Sequence, residues 1–413
     1  MQNRSSGPHG RRRTRTAAPA TDQSQSQQGW AAATACCPCS AKGFHRVDLE
    51  RGEQEVIVML TSALVAALIS LIALYILYPL APRLGLVDHP SGRRKRHGQP
   101  VPTIGGVAIF IAILLSSLLF LPLGQAESLA LLGAALLVGL GAQDDRHHLK
   151  PRDRLLAQVA AALVLILGTG INLTSLGDLF GFGPVRLGIL SVPFTVVCVV
   201  GVVNAFNMVD GIDGLAGGLL VIALGTLLLI APALGTVQGI ALIAIAAFVP
   251  YLVWNLQLFG QRGRRIFLGD AGSLLAGYLA AWMLIDAAEV TRCIQPVTGL
   301  WLLALPLLDM FSVMLRRILR GQSPFSGDHT HLHHLLSRVL GNSRRALVVL
   351  LGAAGLLAVV GVVGLTAALP SALMFYGALA VFATYLLLLS QMPRLHRMLR
   401  RSRVRLHLLQ QQR

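Results

Sequence analysis

Long apolar stretches follow one another from residue 56 to residue 390, and short polar segments separate them. A helix needs about 20 apolar residues to cross the hydrocarbon core of a bilayer. The stretches lack the alternation of apolar and polar positions that is typical of barrel strands. The pattern predicts about eleven transmembrane helices, at 56–78, 103–122, 127–143, 155–170, 187–205, 214–232, 237–254, 272–288, 294–315, 346–368 and 371–390.

The composition is that of a membrane protein. Of the 413 residues, 54% are hydrophobic and only 13% are charged, whereas about 25% of the residues in a soluble domain are charged. We therefore expect an all-α integral membrane protein, with a transmembrane domain at 56–390 and a basic C-terminal tail at 391–413.

The formal net charge of +17 could indicate binding to nucleic acid, but the distribution of the basic residues indicates membrane topology instead. Twenty-five Lys and Arg lie in alternate loops and in the C-terminal tail, whereas the remaining loops carry only Arg186 and Arg292. Because basic loops stay in the cytoplasm, the sequence predicts a multi-pass membrane protein with a cytoplasmic C-terminus. Most of the arginines are then explained by topology and by anionic lipid head groups, and no nucleic-acid partner is expected.

Residues 1–55 differ in composition from the rest of the chain. They are rich in Gln, Ser, Thr, Ala and Arg, a mixture that buries too little apolar surface to order itself. They also lack the apolar core of a secretory signal. We expect a disordered basic extension outside the functional fold, or a mis-assigned start, because initiation at Met59 would retain every predicted span.

Carboxylates lie in three short segments that the predicted topology places on the cytoplasmic face. The segment GAQDDR contains Asp144 and Asp145, NAFNMVDGIDGLAGG contains Asp210 and Asp213, and FLGDAGS contains Asp270. Each taken alone could cap the following helix. Together, their oxygen ligands suit Mg²⁺ or Mn²⁺, and such an ion beside arginines suits phosphoryl chemistry.

Two further features involve a buried acid and a histidine cluster. Asp309 lies about two turns inside a predicted span, where a carboxylate is costly and therefore marks a candidate site. The segment SPFSGDHTHLHHLL contains four histidines: His329, His331, His333 and His334. A zinc site is one interpretation, but no nearby Cys completes it and the spacing fits no familiar finger. Binding of a phosphate beside a metal is the interpretation that we favour.

The four segments, in this order, resemble those of the polyprenyl-phosphate N-acetylhexosamine-1-phosphate transferases, which form glycosyltransferase family 4. The resemblance extends from GLVDHPSGRRKRHGQPVPTIGG to RRALVV. It is greatest for the bacterial branch that transfers GlcNAc-1-phosphate from UDP-GlcNAc to undecaprenyl phosphate. The branch that transfers phospho-MurNAc-pentapeptide has three consecutive histidines, whereas this chain has His331-Leu332-His333-His334.

The resemblance implies a membrane enzyme that depends on Mg²⁺ or Mn²⁺ and has its active site at the cytoplasmic face. Such an enzyme transfers N-acetylhexosamine-1-phosphate from a UDP-sugar to undecaprenyl phosphate and releases UMP. It initiates a lipid-linked cell-surface glycan such as O-antigen. The sugar implied by the branch is GlcNAc, and the oligomeric state is left open, with a homo-oligomer as one option.

The resemblance also implies roles for individual residues. Asp270 would bind the metal, with Asn207 as a second ligand, and Asp213 and Phe267 would hold the uracil by hydrogen bonds and by stacking. The phosphates and the sugar would be bound by Arg152, Arg154, His331, His333 and His334.

The implied catalytic residues are Asp144, Asp145 and Asp210. The pair Asp144 and Asp145 could act as a base for the acceptor phosphate or could orient other groups. A phosphate monoester is already largely ionised near pH 7, since its second pKa is about 6. We therefore favour an electrostatic and positioning role.

Two other classes of protein compete with this hypothesis. A transporter or lipid flippase would carry ionisable residues near the middle of the membrane and would show inverted repeats, whereas here the acids cluster at one predicted face and no such repeat is seen. A structural membrane scaffold would leave the one-sided acids unexplained.

Overall fold

The computed structural model describes residues 46–88, 100–230, 235–260, 264–322 and 331–411. Residues 1–45 of the expected N-terminal extension, and His329 of the histidine segment, lie outside the described residues. The first helix begins at Arg46.

Helices make up most of the described ranges. Their bounds are α1 Arg46–Leu84, α2 Gly105–Phe120, α3 Gln125–His147, α4 Pro151–Thr169, α5 Ser191–Val209, α6 Leu215–Ile230, α7 Thr236–Asn255, α8 Gly269–Glu289, α9 Pro296–Leu302, α10 Ala304–Leu319, α11 Leu332–Leu340, α12 Ser343–Thr366 and α13 Ser371–Gln411. Two short antiparallel strands, β1 (Val87–Asp88) and β2 (Val101–Pro102), pair before α2.

The protein is an all-α membrane protein, and the predicted spans fall on helices, except that 294–315 is divided between α9 and α10. Within the described ranges, seven helices are long and apolar enough to cross a bilayer. The pair α9 and α10, which is bent by 83°, would make an eighth span. The apolar helices α2 and α6 have only 16 residues each, which is short of the roughly 20 that a crossing needs.

Helix α8 forms the centre of the molecule, because every residue from Ala271 to Ala288 is buried. Glycines allow its neighbours to approach closely. A Cβ on Gly106 of α2 would collide with the backbone of Gly272, and a Cβ on Gly141 of α3 would collide with the backbone of Ala271. Small residues at such contacts are typical of packing between membrane helices.

The close approach of α3 and α8 can be tested with two glycines of α3. Gly141→Ala should destabilise the protein by about 1–3 kcal/mol or more, because the new methyl group meets backbone that cannot move aside. The matched control is Gly139→Ala, where a Cβ has no other atom within 4 Å. The control should be neutral or stabilising by up to about 1 kcal/mol, because Ala favours a helix over Gly. Thermal unfolding in detergent measures both, and equal effects would contradict the packing described.

Candidate active site

The first contact of the site joins the end of α3 to the start of α8. One carboxylate oxygen of Asp145 accepts a hydrogen bond from the backbone N–H of Asp270 (3.0 Å), and the other accepts from that of Ala271 (3.5 Å). Gly269 has a φ of +74°, and a Cβ there would lie 2.5 Å from Asp145 Oδ2. The glycine therefore permits both the turn and the contact, and Asp145 caps the first N–H groups of α8.

An ion pair and a chain of hydrogen bonds connect the other acidic residues of the site through one arginine and one amide. Arg154 Nε contacts Asp144 Oδ2 at 2.9 Å, and Arg154 Nη2 donates to Asn207 Oδ1 at 2.8 Å. Asn207 Nδ2 donates to Asp270 Oδ1 at 2.6 Å and to Ser273 Oγ at 3.0 Å. Side chains from α3, α4, α5 and α8 thus form one network.

The DGIDG loop adds two more carboxylates beside this network. Burial raises the pKa of Asp210 to about 8, and the negative charges of Asp270, Asp213 and Asp145 contribute to the rise. Arg265 pairs with Asp213 at 3.4 Å. Acidic groups are therefore crowded enough to oppose one another's ionisation, and a cation would relieve that repulsion.

The donor set fits a hard divalent ion. Among the described residues, no group of three His, Cys, Asp or Glu side chains is arranged to hold a metal by themselves. Mg²⁺, however, is commonly bound through one or two carboxylates together with substrate phosphates. Asp270 supplies a carboxylate, and the amide oxygen of Asn207 has a second lone pair besides the one that Arg154 occupies.

The histidine segment packs against the DGIDG loop. The ring of His333 is buried, and a Cβ on Gly211 would collide with its Nε2. Neither ring nitrogen of His333 has a hydrogen-bond partner among the described residues. The ring of His331 lies nearly parallel to that of His333, with centroids 5.5 Å apart, and the centroid of the His334 ring lies 4.1 Å from that of His333.

The predicted residues differ in how far they enter the site. Arg152 is exposed in the first turn of α4, and within the described part of the chain it forms no hydrogen bond or ion pair. Phe267 is half-buried three residues before Asp270, and its carbonyl accepts a hydrogen bond from Gly105 N–H at 3.1 Å. The network itself unites five predicted residues: Asp144, Asp145, Arg154, Asn207 and Asp270.

Four contact residues were not predicted. Ser273 contacts Asn207, Arg265 pairs with Asp213, and Asn204 Nδ2 donates to Gln158 Oε1 at 2.6 Å beside the network. Asn204 opens the quoted acidic motif, and Arg265 lies in a basic loop, so both had a weak sequence signal. Ser273 and Gln158 had none, because their positions depend on how the helices pack.

The fold and the site define a helical membrane protein with a network of acidic and basic side chains at one end of a buried helix. Comparison with known proteins shows its family. The model of glycosyl transferase family 4 matches residues 128–288. Three relatives are each named undecaprenyl-phosphate alpha-N-acetylglucosaminyl 1-phosphate transferase.

The relative from Yersinia pestis is 39% identical over 310 residues, which are 74% of this chain and 84% of the relative. The relative from Escherichia coli O157:H7 is 40% identical over 68% of this chain and 77% of its own length. The relative from Pasteurella multocida is 36% identical over 84% of this chain and 98% of its own length. The chain belongs to glycosyl transferase family 4.

The buried ring of His333 predicts acid sensitivity. Burial, followed by the charge of His334, lowers the pKa of His333 to about 3, from the usual value of 6.5. The unfolded chain therefore takes up a proton below about pH 6.5 that the folded protein does not, so this residue reduces stability as the pH falls from about 6.5 to about 3. His333→Leu should flatten the fall in melting temperature over that range and leave the slope above pH 7 unchanged. A variant that follows the wild-type curve at every pH would contradict the buried, neutral ring.

Proposed function

We propose that this protein transfers an N-acetylhexosamine-1-phosphate, GlcNAc-1-phosphate in the first instance, from a UDP-sugar to undecaprenyl phosphate and releases UMP. The observation that carries the proposal is the network of Asp144, Arg154, Asn207 and Asp270. The network joins the guanidinium of Arg154, the amide of Asn207 and the carboxylates of Asp144 and Asp270 in one chain of polar contacts. The names of the relatives support the same acceptor and sugar.

In the proposed reaction, an oxygen of the acceptor phosphate attacks the phosphorus that bears the sugar. The bond from that phosphorus to the bridging oxygen breaks, and the bridging oxygen leaves with UMP. The products are UMP and a lipid-linked sugar diphosphate. Charge builds up on the phosphoryl oxygens during such a transfer, so positioning and electrostatic stabilisation dominate catalysis.

We propose Mg²⁺ or Mn²⁺ as the cofactor, with Asp270 as its main ligand and Asn207 as the second. The ion would neutralise charge on the donor diphosphate and on the leaving UMP. The raised pKa of Asp210 supports a cation here, because negative charges at this position oppose one another. Arg154 lies against Asn207 and is placed to contact a phosphate that reaches Asp270.

The contacts of Asp144 and Asp145 support the orienting role over the base role. Asp144 holds the guanidinium of Arg154, and Asp145 holds the first N–H groups of α8. Each carboxylate is thus engaged in placing another group of the site. An ionised acceptor phosphate needs no strong base.

A lateral cavity supports a lipid acceptor. It has a volume of about 420 Å³, and its lining is almost entirely aliphatic, from α10, α11, α12 and α13. Leu332 and Leu336 of its lining are close to the histidines of the histidine segment.

We propose that the protein crosses the bacterial inner membrane about eleven times, with the active site and the C-terminus in the cytoplasm. We also propose that it initiates a cell-surface glycan such as O-antigen.

The function is tested with purified protein in detergent, undecaprenyl phosphate, Mg²⁺ and a panel of UDP-sugars. Released UMP and lipid-linked product should appear in equal amounts, with UDP-GlcNAc as the best donor. Movement of lipid across vesicles without UMP release would instead indicate a flippase.

The metal ligand is tested by comparing two aspartates of the same helix. Asp270→Asn should lower kcat by about 100-fold or more, since it removes a charged ligand from a site of phosphoryl transfer, and EDTA should abolish activity until Mg²⁺ or Mn²⁺ is restored. Asp286→Asn is the matched control, because Asp286 is a buried aspartate near the other end of α8. Full activity of the Asp270 variant, or of wild type in EDTA, would rule out the assigned role.

A further inference from the structure

Asp309 is the focus of a second hydrogen-bonded cluster, on the helix α10. Its carboxylate is buried and accepts three hydrogen bonds. His331 Nδ1 lies 2.7 Å from Oδ2, whereas the backbone N–H of Leu332 and the hydroxyl of Tyr385 each donate to Oδ1 at 2.9 Å. The three donors come from two distant parts of the chain, the start of α11 and the last helix α13.

The contact with Asp309 selects one form of the His331 ring. A carboxylate can only accept, so Nδ1 carries the hydrogen and Nε2 remains available for another partner. Carboxylates that hold a histidine in this way set both its tautomer and its orientation. Tyr385 in turn fixes the carboxylate, because its hydroxyl holds Oδ1 from the opposite helix.

One ring, that of His333, separates His331 from the acidic site. It stacks on His333 at 5.5 Å with an interplanar angle of 15°, and His333 packs on Gly211 in the DGIDG loop. His333 cannot offer a nitrogen readily, since both of its ring nitrogens are buried. Of these two histidines, His331 is therefore the one that can bind a ligand through Nε2, because Asp309 fixes the ring through Nδ1.

We propose that Asp309 and Tyr385 are positioning residues for the transfer reaction: they hold His331 through Nδ1–H so that Nε2–H, on the opposite side of the doubly protonated ring, donates to an anionic phosphate of the substrate. The inference rests on the proposed function. It assigns to the last helix, α13, a part in the active site. The competing explanation is that Asp309 only caps α11 through Leu332.

The two explanations differ in what Asp309→Asn does. The amide oxygen of Asn can still accept from Leu332 and Tyr385, but its NH₂ group would donate to His331 Nδ1, so that nitrogen loses its hydrogen and the ring loses its positive charge. We expect kcat to fall by about tenfold, since the charge-assisted hydrogen bond to the phosphate becomes a neutral one, with little change in the KM for the UDP-sugar. Tyr385→Phe should lower kcat by about fivefold, the effect of one lost hydrogen bond.

A double-mutant cycle with His331→Ala separates positioning from capping. If Asp309 and Tyr385 act through His331, Asp309→Asn and Tyr385→Phe should each change kcat by less than about twofold in the His331→Ala background. Equal losses in both backgrounds would overturn the proposal. Tyr376→Phe, at an exposed tyrosine of the same helix, is the matched control and should behave as wild type.

A spectroscopic measurement makes the test independent of turnover. With a UDP-sugar bound to ¹⁵N-histidine-labelled protein, the long-range ¹H–¹⁵N spectrum should show His331 protonated at both ring nitrogens in the wild type and at Nε2 alone in Asp309→Asn. The same protonation in both proteins would refute the proposal. A wild type that released no UMP would by itself refute only the proposed function. If Asp309→Asn does not fold, the Tyr385→Phe cycle decides the question alone.

Discussion

The site depends on the need to satisfy the first N–H groups of α8. This helix is buried from Ala271 to Ala288, and unpaired backbone groups at the start of that segment would be costly. Asp145 provides the acceptor, and the partial positive charge of the helix end favours its carboxylate. The absence of a side chain at Gly269 lets Asp145 come close to this end of the helix. The next residue, Asp270, is thereby positioned so that its carboxylate accepts a hydrogen bond from Asn207.

Around that point, the acidic groups outnumber their basic partners. Arg154 neutralises Asp144 and Arg265 contacts Asp213, but Asp210 and Asp270 face further negative charge. A protein that needed only stability would gain from removing such carboxylates, since repulsion between buried like charges disfavours the ionised forms. The proposed divalent ion would bring positive charge to these carboxylates, and the arginines would meet the anionic phosphates of the proposed substrates.

The buried carboxylate of Asp309 lies beyond the residues that the family model matches. The match covers residues 128–288, whereas the contacts of Asp309 reach His331 and Tyr385. The histidine segment is thereby tied to α10 and α13 on one side and to the DGIDG loop on the other. Within this network, three donors satisfy the carboxylate of Asp309.

The sequence alone determined the class of the protein, the positions of most of its apolar helices and the acidic segments of the site. Hydropathy reports how each stretch partitions between lipid and water, and the motifs are local in the chain, so both can be read without a fold. Only the tertiary structure decided that the pair α9 and α10 bends by 83°, that His333 is buried against Gly211, and that Tyr385 bonds to Asp309 across 76 positions. These features depend on which faces of the helices pack together. The local pattern of apolar and polar residues shows which face of a helix is apolar, but it does not show which other helix packs against that face.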